Sequence, residues 1–84
     1  MVDYKEALAN IARAIVDKPE EVRVTEKENT SAAITLELSV APDDMGKVIG
    51  KHGRIAQAIR QIMRTASAGG KRIIVDIRLP EWYK

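Results

Sequence analysis

The chain has 84 residues, of which 45% are hydrophobic and 31% charged. That is an ordinary balance for one globular domain, and a domain of this size buries only roughly 60–65% of its unfolded surface, too little to enclose a deep enzymatic cleft. With no cysteine and one histidine, a disulfide framework, a cysteine zinc site and a histidine-rich metal site are excluded. The net charge of +2 is unevenly spread: residues 1–42 carry five Lys or Arg against eight Asp or Glu, and residues 43–84 carry nine against four, so the second half is the one suited to a polyanion.

The opening residues, Met1 to Glu6, carry acids and lead into an amphipathic pattern, unlike a secretory signal. No apolar run approaches the length of a membrane span, so a cytoplasmic location is expected. Asn29-Thr30-Ser31 fits a glycosylation pattern that has meaning only in a secreted chain. Asp3 with Glu6 makes a plausible helix cap, and Tyr4, Leu8, Ile11 and Ile15 mark one apolar face of a first helix that Pro19 stops. From Glu20 to Lys27, Val22 and Val24 alternate with Arg23 and Thr25 in a short polar strand of the edge type. The run Lys27 to Ser31 supplies the turn formers of a hairpin loop. Ala33 to Val40 is the clearest strand, with Ile34, Leu36, Leu38 and Val40 inward and Thr35, Glu37 and Ser39 outward.

Pro42, Asp43 and Asp44 open a short helix, their acids complementing its dipole, and Met45, Val48 and Ile49 form its apolar face. A long helix follows, with a stripe of Ile55, Ile59, Ile62, Met63 and Ala66. Ala68-Gly69-Gly70-Lys71 ends it in a flexible connection, and Arg72 to Leu79 is the last strand, closed by Pro80. The order is α-β-β-α-α-β without internal repeats. A helical crossover makes the last strand parallel to the second, and the hairpin makes the first pair antiparallel. The expected fold is α+β, three helices on one face of a three-stranded mixed sheet, in one domain over residues 1–79 with a tail at 80–84.

Between the two later helices lies Val48-Ile49-Gly50-Lys51-His52-Gly53-Arg54-Ile55. Gly50 can take the left-handed conformation that ends the first of them, and Gly53 leaves room for another backbone. The first amides of the helix beginning near Arg54 have no intrahelical acceptors, and Lys51, His52 and Arg54 add donors at the same place, so a phosphate is the natural guest. A plain helical corner would need the glycines but not two exposed cations between them. Gly46-Lys47-Val48-Ile49-Gly50-Lys51-His52 is one residue short of a nucleotide-binding P-loop and lacks its hydroxyl. His52 has neither an orienting partner nor a nucleophile in evidence, so no catalytic residue, cofactor or metal is expected.

Gly50-Lys51-His52-Gly53 in its apolar frame resembles the GXXG loop of KH domains, which clamps about four nucleotides of single-stranded backbone. The run Pro42 to Ala66 is similar to the small bacterial proteins made of a single KH domain, and the element order resembles the type II KH arrangement. The resemblance implies a non-enzymatic, weakly sequence-selective RNA-binding protein with the role of an RNA chaperone or regulator. It also implies pairing, as a homodimer or with a larger KhpB-like protein that contains a KH domain. On this reading Gly50 and Gly53 shape the loop, amides near Gly53 and Arg54 hold phosphate, and Lys51, His52 and Arg54 position the backbone with Lys47 in support. Ile49 and Ile55 are core residues of the kind that also line the base groove, and Lys71 and Arg72 are secondary contacts from the connection and strand that bound it. Ala56 stands where many KH loops carry a larger aliphatic residue, which implies a shallower apolar wall. Arg60 and Arg64 read as solvated surface, and in the tail, with Trp82 and Tyr83, Trp82 either folds back onto the sheet edge or makes a stacking or subunit contact. The alternative is a protein-interaction module whose helix-loop-helix face docks a subunit without RNA.

Overall fold

The computed structural model describes residues 3–66 and 70–78. The elements run α1 (Tyr4–Ile15), β1 (Arg23–Asn29), β2 (Ala33–Ser39), α2 (Met45–Ile49), α3 (Arg54–Ala66) and β3 (Arg72–Ile77). The sheet has the order β1-β2-β3, with β1 antiparallel and β3 parallel to the central β2. This is the expected α+β architecture, and the alternation along β2 is its clearest cause. Ile34, Leu36 and Leu38 are buried against Ile73 and Val75 of β3 and against Leu8, Ile59 and Met63 of the helices, in one continuous core. Thr35, Glu37 and Ser39 face the other side, where Lys27 pairs with Glu37 at 3.4 Å.

The first helix starts as its sequence dictates, with the Asp3 carboxylate accepting from the Glu6 N–H at 3.1 Å. Its most buried residues are Leu8, Ala9 and Ala12, and Tyr4, Ile11 and Ile15 flank them half-buried. Pro19–Glu21 forms a 3-10 turn, so β1 begins at Arg23 instead of Glu20. Proline pre-sets the first position of such a turn, which overrides the weak alternation there. The strand then extends past Lys27 through Glu28 and Asn29, residues expected in the loop. A bulge at Lys27 absorbs the misfit, and the turn tightens onto Thr30–Ala33. There the Thr30 hydroxyl oxygen accepts from the N–H groups of Ala32 at 3.2 Å and Ala33 at 3.0 Å. Such a side-chain bond builds a turn without glycine.

In α3 the buried residues are Ala56, Ile59 and Met63, whereas Ile55 is 38% and Ile62 51% exposed. The expected stripe was drawn too wide: at 3.6 residues per turn, Ile55 and Ile62 fall on the flank of the face centred on Ile59 and Met63. Ile55 is therefore not a core residue. Strand β3 ends at Ile77, with the Arg78 N–H donating to the Leu38 carbonyl at 2.8 Å. Leu79, the tail with Trp82 and Tyr83, and Ala68 and Gly69 lie outside the described residues.

Candidate nucleic-acid interface

At five residues, α2 is too short to hold itself in water, so its position must come from tertiary bonds. Met45 and Val48 anchor one side in the core. On the other side Asp44, only 1% exposed, accepts from the peptide N–H groups of Asp17 at 3.3 Å and Lys18 at 3.0 Å. Lys47 Nζ donates to Asp17 Oδ2 at 2.6 Å, and Lys18 reaches Asp43 at 3.4 Å. Two acids expected to serve the helix dipole thus tie the start of α2 to the segment after α1. The bond to Asp17 also holds the Lys47 ammonium above its ordinary value of 10.5.

The helix closes when the Gly50 N–H donates to the Gly46 carbonyl at 2.8 Å. Gly50 then turns at φ 74, ψ 173, an extended positive-φ conformation in place of the expected left-handed helical one, and almost exclusive to glycine. A Cβ here would overlap the Ile55 side chain and lie 2.9 Å from the Ile55 nitrogen. Gly53 also has a positive φ, 73, but nothing lies within 4 Å of where its Cβ would stand. The open space beside Gly53 is where an outside backbone can approach. Between them His52 sits in the left-handed region at φ 57, ψ 25, which histidine tolerates better than most side chains.

Lys51–Gly53 form a single 3-10 turn in which the Gly53 N–H donates to the Gly50 carbonyl at 3.1 Å and the Arg54 N–H to the Lys51 carbonyl. The amides expected to hold phosphate are thereby occupied. The peptide N–H groups of Lys51 and His52, by contrast, have no acceptor among the described residues. The unoccupied donors thus lie two residues earlier than the amides expected to hold phosphate, and they share the loop with the exposed side chains of Lys51, His52 and Arg54.

The fold brings Gly50, Lys51, His52, Gly53 and Arg54 into one exposed turn, with half-buried Ile49 on one side and Ile55 against Gly50 on the other. Lys47 is drawn to Asp17. Lys71 and Arg72 sit beyond the far end of α3, a helix of 13 residues and so roughly 20 Å long. There Lys71 Nζ donates to the Asn29 side chain at 2.7 Å, and the Arg72 N–H to the Ala32 carbonyl at 3.0 Å. A groove of about 560 Å³ lies at that end too, lined by Tyr4, Ile34, Leu36, Asn29 and Lys71 among others, away from the loop. Sequence patterns gave no sign of Asp17 and Asp44 as holders of α2. Nor did they mark Arg60, whose Nε donates to the Val75 carbonyl at 3.1 Å across α3 and β3.

A family model described as the KH domain of KhpA/KhpB matches residues 5–77. A protein of Clostridium acetobutylicum named RNA-binding protein KhpA is 51% identical over 74 residues, covering 87% of this chain and 97% of its own length. Proteins of the same name from Caldanaerobacter subterraneus subsp. tengcongensis (52% identical, 86% and 96% covered) and Treponema pallidum (49%, 87% and 91%) are similar throughout.

Proposed function

The chain belongs to the KhpA/KhpB KH-domain family, and from that premise we propose that it binds single-stranded RNA through the Gly50–Gly53 turn, as an RNA chaperone or post-transcriptional regulator. The observation that carries this reading is the turn itself: two unoccupied peptide N–H groups, three exposed basic side chains and open space beside Gly53. Phosphate contacts of this kind supply affinity and orientation, and bases lying beside the loop supply what selectivity there is. Lys51, His52 and Arg54 are the principal contacts, Ile49 and Ile55 the apolar ones, and Lys71 and Arg72 can meet only a strand long enough to follow α3.

One such turn grips few nucleotides, so useful affinity calls for a second module, either another copy or a larger KhpB-like partner. The exposed Ile62, more than a turn along α3 from the loop, offers apolar area for that pairing, apart from the three basic side chains of the turn. Salt separates RNA binding from a purely protein-docking role. Affinity for a short single-stranded RNA is expected to fall with a log-log salt slope of about −1.5 to −3, for roughly two to four phosphates at about −0.7 each. Replacing Lys51 and His52 together by aspartate is expected to abolish binding with the melting temperature unchanged. Salt-independent affinity, or full affinity in the folded double variant, refutes the assignment.

A further inference from the structure

Strand β3 is an edge, and its peptide groups alternate. The Arg72 N–H donates to the Ala32 carbonyl just before β2 and the Arg78 N–H to the Leu38 carbonyl within it, so by the pairing pattern of parallel strands Ile73, Val75 and Ile77 turn their N–H and C=O groups outward. The Val75 carbonyl is the outward acceptor that Arg60 occupies through Nε. A guanidinium is planar and carries five donors, so fixing Nε also fixes the plane in which the two terminal amino groups point. Neither of those groups has a partner among the described residues. Arg60 follows Arg54 by six residues, roughly 9 Å along the helix, which is about two to three nucleotides of stacked strand. Gln57, Arg60 and Arg64 share one exposed flank at i, i+3 and i+7, and that flank leads away from the loop.

We propose that Arg60 reads a base: held by the Val75 carbonyl beside the open edge of β3, its terminal amino groups receive a base that presents carbonyl or ring-nitrogen acceptors, guanine above all. This rests on the RNA-binding reading of the neighbouring loop. Guanine offers O6 and N7 side by side, the pair to which an arginine fork binds bidentately. Adenine sets an exocyclic amine beside N7 or N1 and so meets the fork with one acceptor only, whereas cytosine, through O2 and N3, is the second base able to engage both amino groups. The pinned arginine thus supplies donors to a base with paired acceptors and, having no acceptor of its own, gives nothing to an exocyclic amine. Selectivity is concentrated at one position of an otherwise backbone-driven contact.

The test uses the full chain and a short single-stranded RNA of constant background with one position at a time varied through the four bases, titrated by fluorescence anisotropy. Wild type is expected to prefer guanine over adenine at one position by roughly fivefold or more, the low end for a bidentate arginine contact. R60A is expected to bind both RNAs equally. R60K keeps the charge without the fork or the pinned Nε, and is expected to keep the salt slope and the affinity for the adenine RNA while losing the preference. Losses in R60A that are the same for every base would make Arg60 a phosphate contact and overturn the proposal. So would a melting-temperature shift with the preference intact, or no preference in wild type. Failure of wild type to bind any of the RNAs would instead remove the RNA-binding reading itself.

Discussion

The two glycines of the turn should behave very differently when each is replaced by alanine, because the structure strains them in different ways. At Gly50 the backbone lies at φ 74, ψ 173, and a Cβ would overlap Ile55 Cγ1 and stand 2.8 Å from Ile55 Cβ. The conformational cost of such a position is about 1–3 kcal/mol. The clash adds to it: the Ile55 side chain is partly exposed and can turn away, but its peptide nitrogen, 2.9 Å from the new Cβ, can move only with the helix start. We therefore expect Gly50→Ala to cost about 2–4 kcal/mol, of which overpacking contributes about 1. At Gly53 the φ of 73 is unfavourable for alanine but the surrounding space is empty, so only the left-handed term of about 1–2 kcal/mol applies. For a domain of this size 1 kcal/mol is worth about 4–8 °C in melting temperature. Thermal unfolding followed by circular dichroism should thus show Gly50→Ala melting at least about 8 °C below wild type and several degrees below Gly53→Ala. If the two variants melt together, or if Gly53→Ala is the weaker protein, the assignment of steric demand to Gly50 is wrong.

Removing the buried carboxylate by Asp44→Ala leaves the N–H groups of Asp17 and Lys18 without their acceptor and should lower stability by about 1–3 kcal/mol in urea unfolding. Asp44→Asn, which keeps one carbonyl oxygen, should lose less. Lys47 is held above 10.5 chiefly by its bond to Asp17, so the stability it contributes is complete below that pH and drains away as pH rises through the elevated folded value. The denaturation midpoint of wild type should accordingly exceed that of Asp17→Asn by a constant margin between pH 6 and 9, and the margin should shrink above 10.5. Ile62→Asp places a charge on an exposed flank, so it should change stability by no more than about 0.5 kcal/mol. It should also shift any dimer toward monomer in light scattering after size exclusion, and an unchanged mass would move the pairing surface elsewhere.

Much of the fold was legible because period and punctuation agreed. Ile34, Leu36 and Leu38 alternate without interruption, and the glycine pair stands between two helical stripes, so the sheet order and the position of the loop followed. What escaped the sequence was tertiary in origin. Lys27, Glu28 and Asn29 have turn character, yet Glu28 and Asn29 pair with β2 because a bulge at Lys27 and the Thr30 hydroxyl make the turn one step later. Asp44, two residues after Pro42, reads as an acid that complements the helix dipole until the chain folds and brings the N–H groups of residues 17 and 18 to it. Ile55 is apolar and in phase with its neighbours, but the core accommodates only the face centred on Ile59 and Met63. The amides near Gly53 lost their freedom to a 3-10 turn that no spacing rule announces. Arg60 is one basic residue among several on an exposed flank, and only coordinates show which carbonyl it finds.

The clasp around Asp17 has a consequence for how far the recognition signature can travel. The bonds that aim α2 join residues 26 to 30 positions apart in the chain, so a peptide spanning Pro42 to Ala66 would contain every atom of the proposed phosphate grip and none of the leverage that sets it. Grafted alone onto another protein, those residues would spell the signature without its grasp. On the proposed reading, the segment that follows the amino-terminal helix belongs to the ligand-binding apparatus even where no nucleotide touches it.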